Sequence, residues 1–293
     1  MLKKILLLLL IIFMMSGCGS DKKDDNLKIV TSFYPMYLDA LNITRGISGV
    51  EVVNLTPPQV GCLHDYQLTP EDMKTLETAD IFIINGLGME SFMDKVIEAY
   101  PNLKIINASD TPEIVPIMEG DVPNPHVWLS VTYAMHQVKN ISAKLRELDP
   151  ANADAYRMRT LEYVDELTTL RDEMQISTAM LQHKDIVTFH EAFPYLAAEF
   201  KLNVAAVVER EPGTEPTPQE LAATIETLNA LPVKVIFTEP QYSPKAAETL
   251  AKETGAQIFP LDPIVTGEAK PENMPDYPDR MLANLLTLVK ALQ

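Results

Sequence analysis

Glycine is scarce in this chain. Eleven glycines in 293 residues leave little material for loops that cradle nucleotide phosphates, and no such loop is found. The Gly-x-Ser-x-Gly nucleophile elbow and the His-Glu-x-x-His motif of zinc hydrolases are missing as well. Positive charge is also short, with 24 Lys and Arg against 41 Asp and Glu and a formal net charge of −17. That balance argues against nucleic acid and against a polybasic membrane patch. It serves solubility first and is compatible with gathering cations. Cysteine is scarcer still, with only Cys18 and Cys62.

Apolar residues make up 46%, enough for two cores, and the length suits two domains. The only long apolar run is at the start. Lys3 and Lys4 precede an apolar stretch over residues 5–15. At ~1.5 Å per residue it covers ~16 Å, too little for a ~30 Å hydrocarbon core, so residues 1–17 read as a signal peptide and not as a membrane helix. Removing them takes Lys3 and Lys4 but no acid, and the net charge becomes −19. The segment ends Met15-Ser16-Gly17-Cys18, which resembles the lipobox of bacterial lipoproteins, with Met15 where Leu is commoner. The resemblance implies that Cys18 receives lipid and becomes the first mature residue, with 18–26 as a polar tether. Several acyl chains give the stable anchoring that one cannot. With Cys18 acylated, Cys62 has no partner for an intrachain disulfide.

The chain is organised around residues 152–182, which contain neither Gly nor Pro and follow the breaker Pro150. Tyr156, Thr160, Tyr163, Leu167, Leu170, Met174, Ser177 and Leu181 recur at alternating spacings of four and three, one helical stripe. Thr160 and Ser177 argue against a coiled-coil seam. Before this helix, short Ile- and Val-rich strands are expected at 27–33, 50–55, 79–85 and 103–107, with helices at 35–43, 69–77, 89–99 and 131–148. Thr69, Pro70 and Asp72 form an N-terminal capping pattern, and Ser130 is a second N-cap. After it, strands are expected at 185–189, 203–208, 233–237 and 256–261, and helices at 192–200, 218–230, 244–253 and 279–292. Residues 209–218 read as a loop. The expectation is an α/β fold of two similar lobes, 27–150 and 184–293, with mostly parallel sheets, joined by a rigid helix over 151–183.

Attention then falls on five histidines. His64, His126, His190 and the acid Asp262 all lie just beyond the carboxyl ends of expected strands, where open α/β sheets bind ligands. Each lobe supplies two. Three imidazoles and a carboxylate match the ligand types and count of a tetrahedral Zn²⁺ site. Each residue alone is weak, since a loop histidine is usually only hydrogen-bonded and Asp before Pro usually forms a turn. His136, inside a helix, and His183, between helix and strand, read as ordinary side chains. Cys62 could offer a soft thiolate, but reads as a packing residue. Trp128 reads as core.

Six stretches resemble a known family. They are Thr31-Ser32-Phe33-Tyr34-Pro35, residues 57–70 around His64-Asp65-Tyr66, Asn124-Pro125-His126-Val127-Trp128-Leu129-Ser130, Phe189-His190-Glu191-Ala192-Phe193 with Tyr195, Phe237-Thr238-Glu239-Pro240-Gln241, and Leu261-Asp262-Pro263. In this order they resemble the metal-binding lipoproteins that serve bacterial ABC importers of zinc and manganese. The resemblance implies one metal in an interlobe cleft, held by His64, His126, His190 and Asp262, with Glu239 in support. It also implies an ABC permease and its ATPase as partners, anchoring through Cys18 on the extracytoplasmic face of the membrane, a monomer, and no catalysis.

Two departures stand out. Asn124 replaces the Asp of many relatives, and residues 109–122 lack the histidine-rich loop of many zinc receptors. His190, where the manganese branch often has Glu, favours Zn²⁺ over Mn²⁺. The alternatives are an adhesin-type surface protein with a structural metal, and a zinc hydrolase. A hydrolase needs an open coordination position and a general base, and these motifs offer no additional base.

Overall fold

The computed structural model describes residues 26–64, 66–208 and 216–293. The expected leader, the tether over 18–25 with its Cys18, Asp65 and most of the loop after 208 lie outside the described residues.

The first lobe alternates β1 (Leu27–Thr31), α1 (Tyr34–Thr44), β2 (Val50–Asn54), α2 (Pro70–Glu77), β3 (Ile81–Ile84), α3 (Met93–Ala99) and β4 (Lys104–Asn107). Its sheet is parallel throughout, in the order β2-β1-β3-β4. The central strand β3 reads Ile-Phe-Ile-Ile and is buried along its length, as a strand covered on both faces must be. α2 starts at the expected capping box, where the Thr69 hydroxyl accepts from Asp72 N and the Asp72 carboxylate accepts from Thr69 N. A short hairpin, β5 (Met118–Glu119) and β6 (Val122–Pro123), turns at Gly120 with φ of 64°. It falls in the stretch expected to be loop, and two-residue strands leave no pattern to read. A 3₁₀ turn (Val127–Leu129) and α4 (Val131–Leu148) follow, with Ser130 capping α4 through Tyr133 N.

The spine is α5 (Ala153–Ala179), 27 residues and ~40 Å long at ~1.5 Å per residue. Its buried face is Tyr156, Thr160, Tyr163, Leu167, Leu170, Met174 and Thr178. The expected stripe holds to Met174. Thr178, four residues after Met174 on the 3.6-residue repeat, then takes the inward place expected for Ser177, and Leu181 is buried beyond the end of the helix. α5 packs on α1 and α4 of the first lobe and on α6 and α9 of the second.

The second lobe runs β7 (Asp185–Thr188), α6 (Pro194–Phe200), β8 (Asn203–Val207), α7 (Pro218–Ala230), β9 (Val235–Thr238), α8 (Lys245–Thr254), β10 (Gln257–Pro260) and α9 (Asp276–Leu292). Its parallel sheet has the order β10-β9-β7-β8. Renumbered from its own first strand and read from the opposite edge, that order is the same as in the first lobe.

The two lobes share one continuous core that includes Phe33, Trp128, Leu167, Phe193, Leu261 and Tyr277. Polar contacts join them too. Trp128 Nε1 donates to Pro263 O (2.8 Å), Tyr277 OH to Trp128 O (2.6 Å) and Tyr34 OH to Asp276 Oδ2 (2.6 Å). Gly267 N donates to Pro58 O (3.0 Å), and a Cβ at Gly267 would run into the Tyr34 ring. Trp128 is buried, as expected, but it also ties the lobes together. Among the described residues no helix is long and apolar enough to cross a membrane.

Candidate metal centre

The ligand positions lie in loops at the carboxyl ends of the strands, where both sheets open toward the same cleft. His64 follows β2. Its loop is held on one side by the buried Leu63, whose N–H points at Met89 Sδ (3.4 Å). On the other side, Tyr66 OH donates to Asp72 Oδ2 (2.9 Å). His126 opens the 3₁₀ turn before α4. A buried polar relay fixes that loop: Glu90 accepts from Ser32 Oγ, Asn85 N and Gly86 N, while Asn85 Nδ2 donates to Pro125 O (2.9 Å). Gly86 has φ of 85°, and a Cβ there would collide with the Asn107 side chain. His190 follows β7 and is buried.

These three imidazoles meet. Ring centroids lie 5.4 Å apart for His64 and His126, 5.1 Å for His126 and His190, and 6.3 Å for His64 and His190. One ligand atom from each, together with Cys62 Sγ, falls within 4.8 Å of every other. Tetrahedral bonds of ~2.0–2.3 Å require donors about 3.3–3.8 Å apart, so a contraction of about 1 Å would close the four on one ion. Cys62 Sγ already lies 3.3 Å from His126 Nε2.

The rings are aimed by their other nitrogens. His126 Nδ1 lies 3.0 Å from Asn124 Oδ1, which also accepts from His126 N (2.9 Å). An acceptor at Nδ1 puts the proton there and leaves the Nε2 lone pair facing the cluster. Asn124 therefore orients the His126 ring with its amide oxygen. Its Nδ2 donates across the cleft to Glu191 O (2.8 Å), next to His190, and its carbonyl accepts from Tyr195 OH (2.7 Å). His190 Nδ1 lies 3.4 Å from Glu239 Oε1, both fully enclosed, and Gln241 Nε2 donates to Glu239 Oε2 (2.7 Å). His190 Nδ1 and Glu239 Oε1 have no well-aligned hydrogen bond here. A small shift of the His190 ring would make one.

Burial holds the His126 pKa well below the ordinary range, and His190 and His64 push it the same way. The ring is neutral at pH 7, the form that ligates. Burial also pushes the Cys62 thiol up, and Glu239 adds to the effect. Burial raises Glu239 as well, against the opposing pull of His190 and Gln241.

Asp262 lies elsewhere in the network. It follows β10, as expected, but its Oδ1 accepts from Ile264 N (2.8 Å) and its Oδ2 lies 3.4 Å from Arg280 Nη1. Its backbone is clamped by Asn284, which accepts from Asp262 N (2.8 Å) and donates to Asp262 O (2.7 Å). Cys62, read from sequence as packing, stands in the cluster instead. Its only sequence signal is its place two residues before His64. His136 is half-buried beside Tyr133, and His183 donates its backbone N–H to Leu292 O, both away from the cluster.

The chain as a whole is similar to known proteins. Residues 29–291 match the family described as zinc-uptake complex component A, periplasmic. The chain is 31% identical to the high-affinity zinc uptake system protein ZnuA of Bacillus subtilis, over 95% of this chain and 94% of that one. It is 26% identical to the manganese-binding lipoprotein MntA of Halalkalibacterium halodurans, over 83% and 82% respectively. The structure of the Pseudomonas aeruginosa protein FpvC in complex with Mn²⁺ superposes with a TM-score of 0.80 at 33% identity, covering 92% of this chain and 99% of that one. The chain belongs to this zinc-uptake component A family of metal-binding solute receptors.

Proposed function

We propose that this family member captures one divalent transition-metal ion between its lobes and passes it to the permease of an ABC importer, with that importer's ATPase driving uptake. The ion is cargo. His64, His126 and His190 hold it, with residues 27–150 and 184–293 as the lobes and 151–183 as the spine between them. The observation that carries this reading is the convergence of three imidazole donors, from both lobes, on one point, with the His126 ring held neutral by burial. Nitrogen-rich coordination favours Zn²⁺, with Mn²⁺ as the alternative. Motif order makes Asp262 the expected fourth donor, and it would have to leave Arg280 to act.

In this reading the protein binds and releases without turnover. Cys18 carries lipid and holds the receptor at the extracytoplasmic face of the membrane, where it acts as a monomer. Mass spectrometry and detergent partitioning of the wild type against Cys18→Ser test the anchor; a wild type without lipid would overturn it.

The central test is the shift in melting temperature on adding Zn²⁺. A ligand that binds only the folded state stabilises it by about 4 kcal/mol at about a thousandfold excess over Kd. His64→Ala, His126→Ala and His190→Ala should each lose most of that shift, while His136→Ala and His183→Ala keep it. If a control variant abolished the shift and the His190 variant kept it, the site would be misassigned.

A further inference from the structure

We infer that the hairpin of β5 and β6 is a surface on which the importer's permease docks, and that docking there loosens the bound ion. This rests on the receptor reading above and deepens it.

Three independent observations carry the inference. The first is an apolar surface held out to solvent on a firm base. Ile114 is buried and Ile117 half-buried, packed with Val127, Tyr133 and Tyr195 in a small cluster separate from the core that the lobes share. Val115, Met118 and Val122, from the same stretch, are 66, 55 and 62% exposed. Ile117 N donates to Tyr195 OH (2.9 Å), Asn124 N to Ile117 O (2.8 Å) and Tyr133 OH to Val115 O (3.3 Å). Three large apolar side chains gathered on one short projection mark a contact surface. Because the projection is already fastened, little ordering entropy is lost when a partner covers it.

The second is charge. Asp110, Glu113, Glu119 and Asp121 lie in or beside the hairpin, and no Lys or Arg occurs between Lys104 and Lys139. The complementary partner presents a shallow apolar recess flanked by Lys or Arg. An anionic lipid surface is repelled by these acids, and the same patch on a second copy of this chain would set acid against acid.

The third is what the hairpin is tied to. The Glu119 carboxylate accepts from Asn124 Nδ2, and the Oδ1 of that same amide faces His126 Nδ1 (3.0 Å). One side chain therefore joins the hairpin's acid to the ring that faces the donor cluster. A Lys or Arg of the permease offers Glu119 a full positive charge where Asn124 offers a neutral amide. Pairing draws the carboxylate off, leaves the Asn124 amide held by Glu191 O (2.8 Å), and slackens the aim of His126. The coupling is reciprocal, so the permease holds the emptied receptor more tightly than the loaded one, by the factor by which docking weakens the ion.

The test uses the full chain and the importer's permease and ATPase held together in nanodiscs without nucleotide. Zinc should leave the docked wild type about tenfold faster than the free protein, within the usual range of such couplings. Met118→Ser combined with Val122→Ser should weaken docking at least about tenfold, the loss expected of central apolar contacts. Both positions are exposed, and the zinc affinity of this variant when free should equal that of the wild type. Glu119→Gln keeps an acceptor for Asn124 but carries no charge, so it should dock without the faster zinc release. Docking of the Met118, Val122 variant at wild-type strength would overturn the inference, and so would zinc leaving the docked wild type at the free rate. Loss of self-association or of vesicle binding in that variant, with nanodisc binding kept, would assign the surface to another occupant and overturn it too. A wild type that binds no Zn²⁺ would instead overturn the receptor reading, and this inference with it.

Discussion

The loop after β4 and the loop after β10 hold the same place in two sheets of the same strand order, and each carries a residue able to bind metal. His126 in the first has its far nitrogen against Asn124 and its near nitrogen in the donor cluster. Asp262 in the second is turned into a clamp of Asn284, Arg280 and Ile264 N, outside that cluster. Topology brings both side chains to one cleft. The hydrogen-bond partners one layer out decide which of them faces the donor cluster.

The contrast can be broken most directly at Asn124. Asn124→Ala removes the acceptor that fixes the His126 tautomer and the donor that crosses to Glu191. Zn²⁺ affinity, measured against a competing chelator, should fall about 10–100-fold. An unchanged affinity would mean that His126 needs no aiming.

On the other side of the comparison, Arg280→Met should cost about 1–2 kcal/mol of unfolding free energy, between an exposed and a buried pair, since the Asp262 and Arg280 side chains are 24% and 28% exposed. Zn²⁺ affinity should rise, because Asp262 is freed from the pair it must leave to reach the ion. Denaturant melts and a zinc titration check the two halves separately, and an unchanged affinity would mean that Asp262 is not coupled to the metal.

The smallest effect concerns pH in the metal-free protein. Burial, then His190 and His64, hold the His126 pKa below its unfolded value near ~6.5. Between those two values the unfolded chain binds a proton that the folded chain refuses. Stability is then full above about pH 6.5 and declines as pH falls through the folded value, by at most about 1.4 kcal/mol per pH unit. Melting temperatures at pH 7.5, 6 and 5 should show this fall in the wild type and a smaller one in His126→Gln. Equal falls would place the titrating group elsewhere.

Much of the fold is legible in the chain because local signals agree. Short Ile- and Val-rich runs, the Thr69 and Ser130 caps and the long stripe on α5 each specify one element, and all of them appear. The hairpin at 118–123 is not legible, since two residues per strand carry no period. Nor is the way α9 and the 263–276 segment return to the first lobe, because contacts such as Tyr34 to Asp276 join residues 242 positions apart. At the site, the three histidines are legible from their common position after strands. The place of Cys62 beside the three imidazoles and the engagement of Asp262 by Arg280 and Asn284 do not follow from that rule, for they depend on side-chain partners distant in sequence, Arg280 and Asn284 on one hand, Gln241 and Tyr242 on the other.

A crystal structure of the zinc-loaded chain, with anomalous data collected on both sides of the zinc edge, tests the central claim most directly. The account predicts one anomalous peak in the cleft, about 2.0–2.2 Å from a nitrogen of each of His64, His126 and His190. A peak with no donor from one of the two lobes, or one coordinated without these histidines, would contradict it.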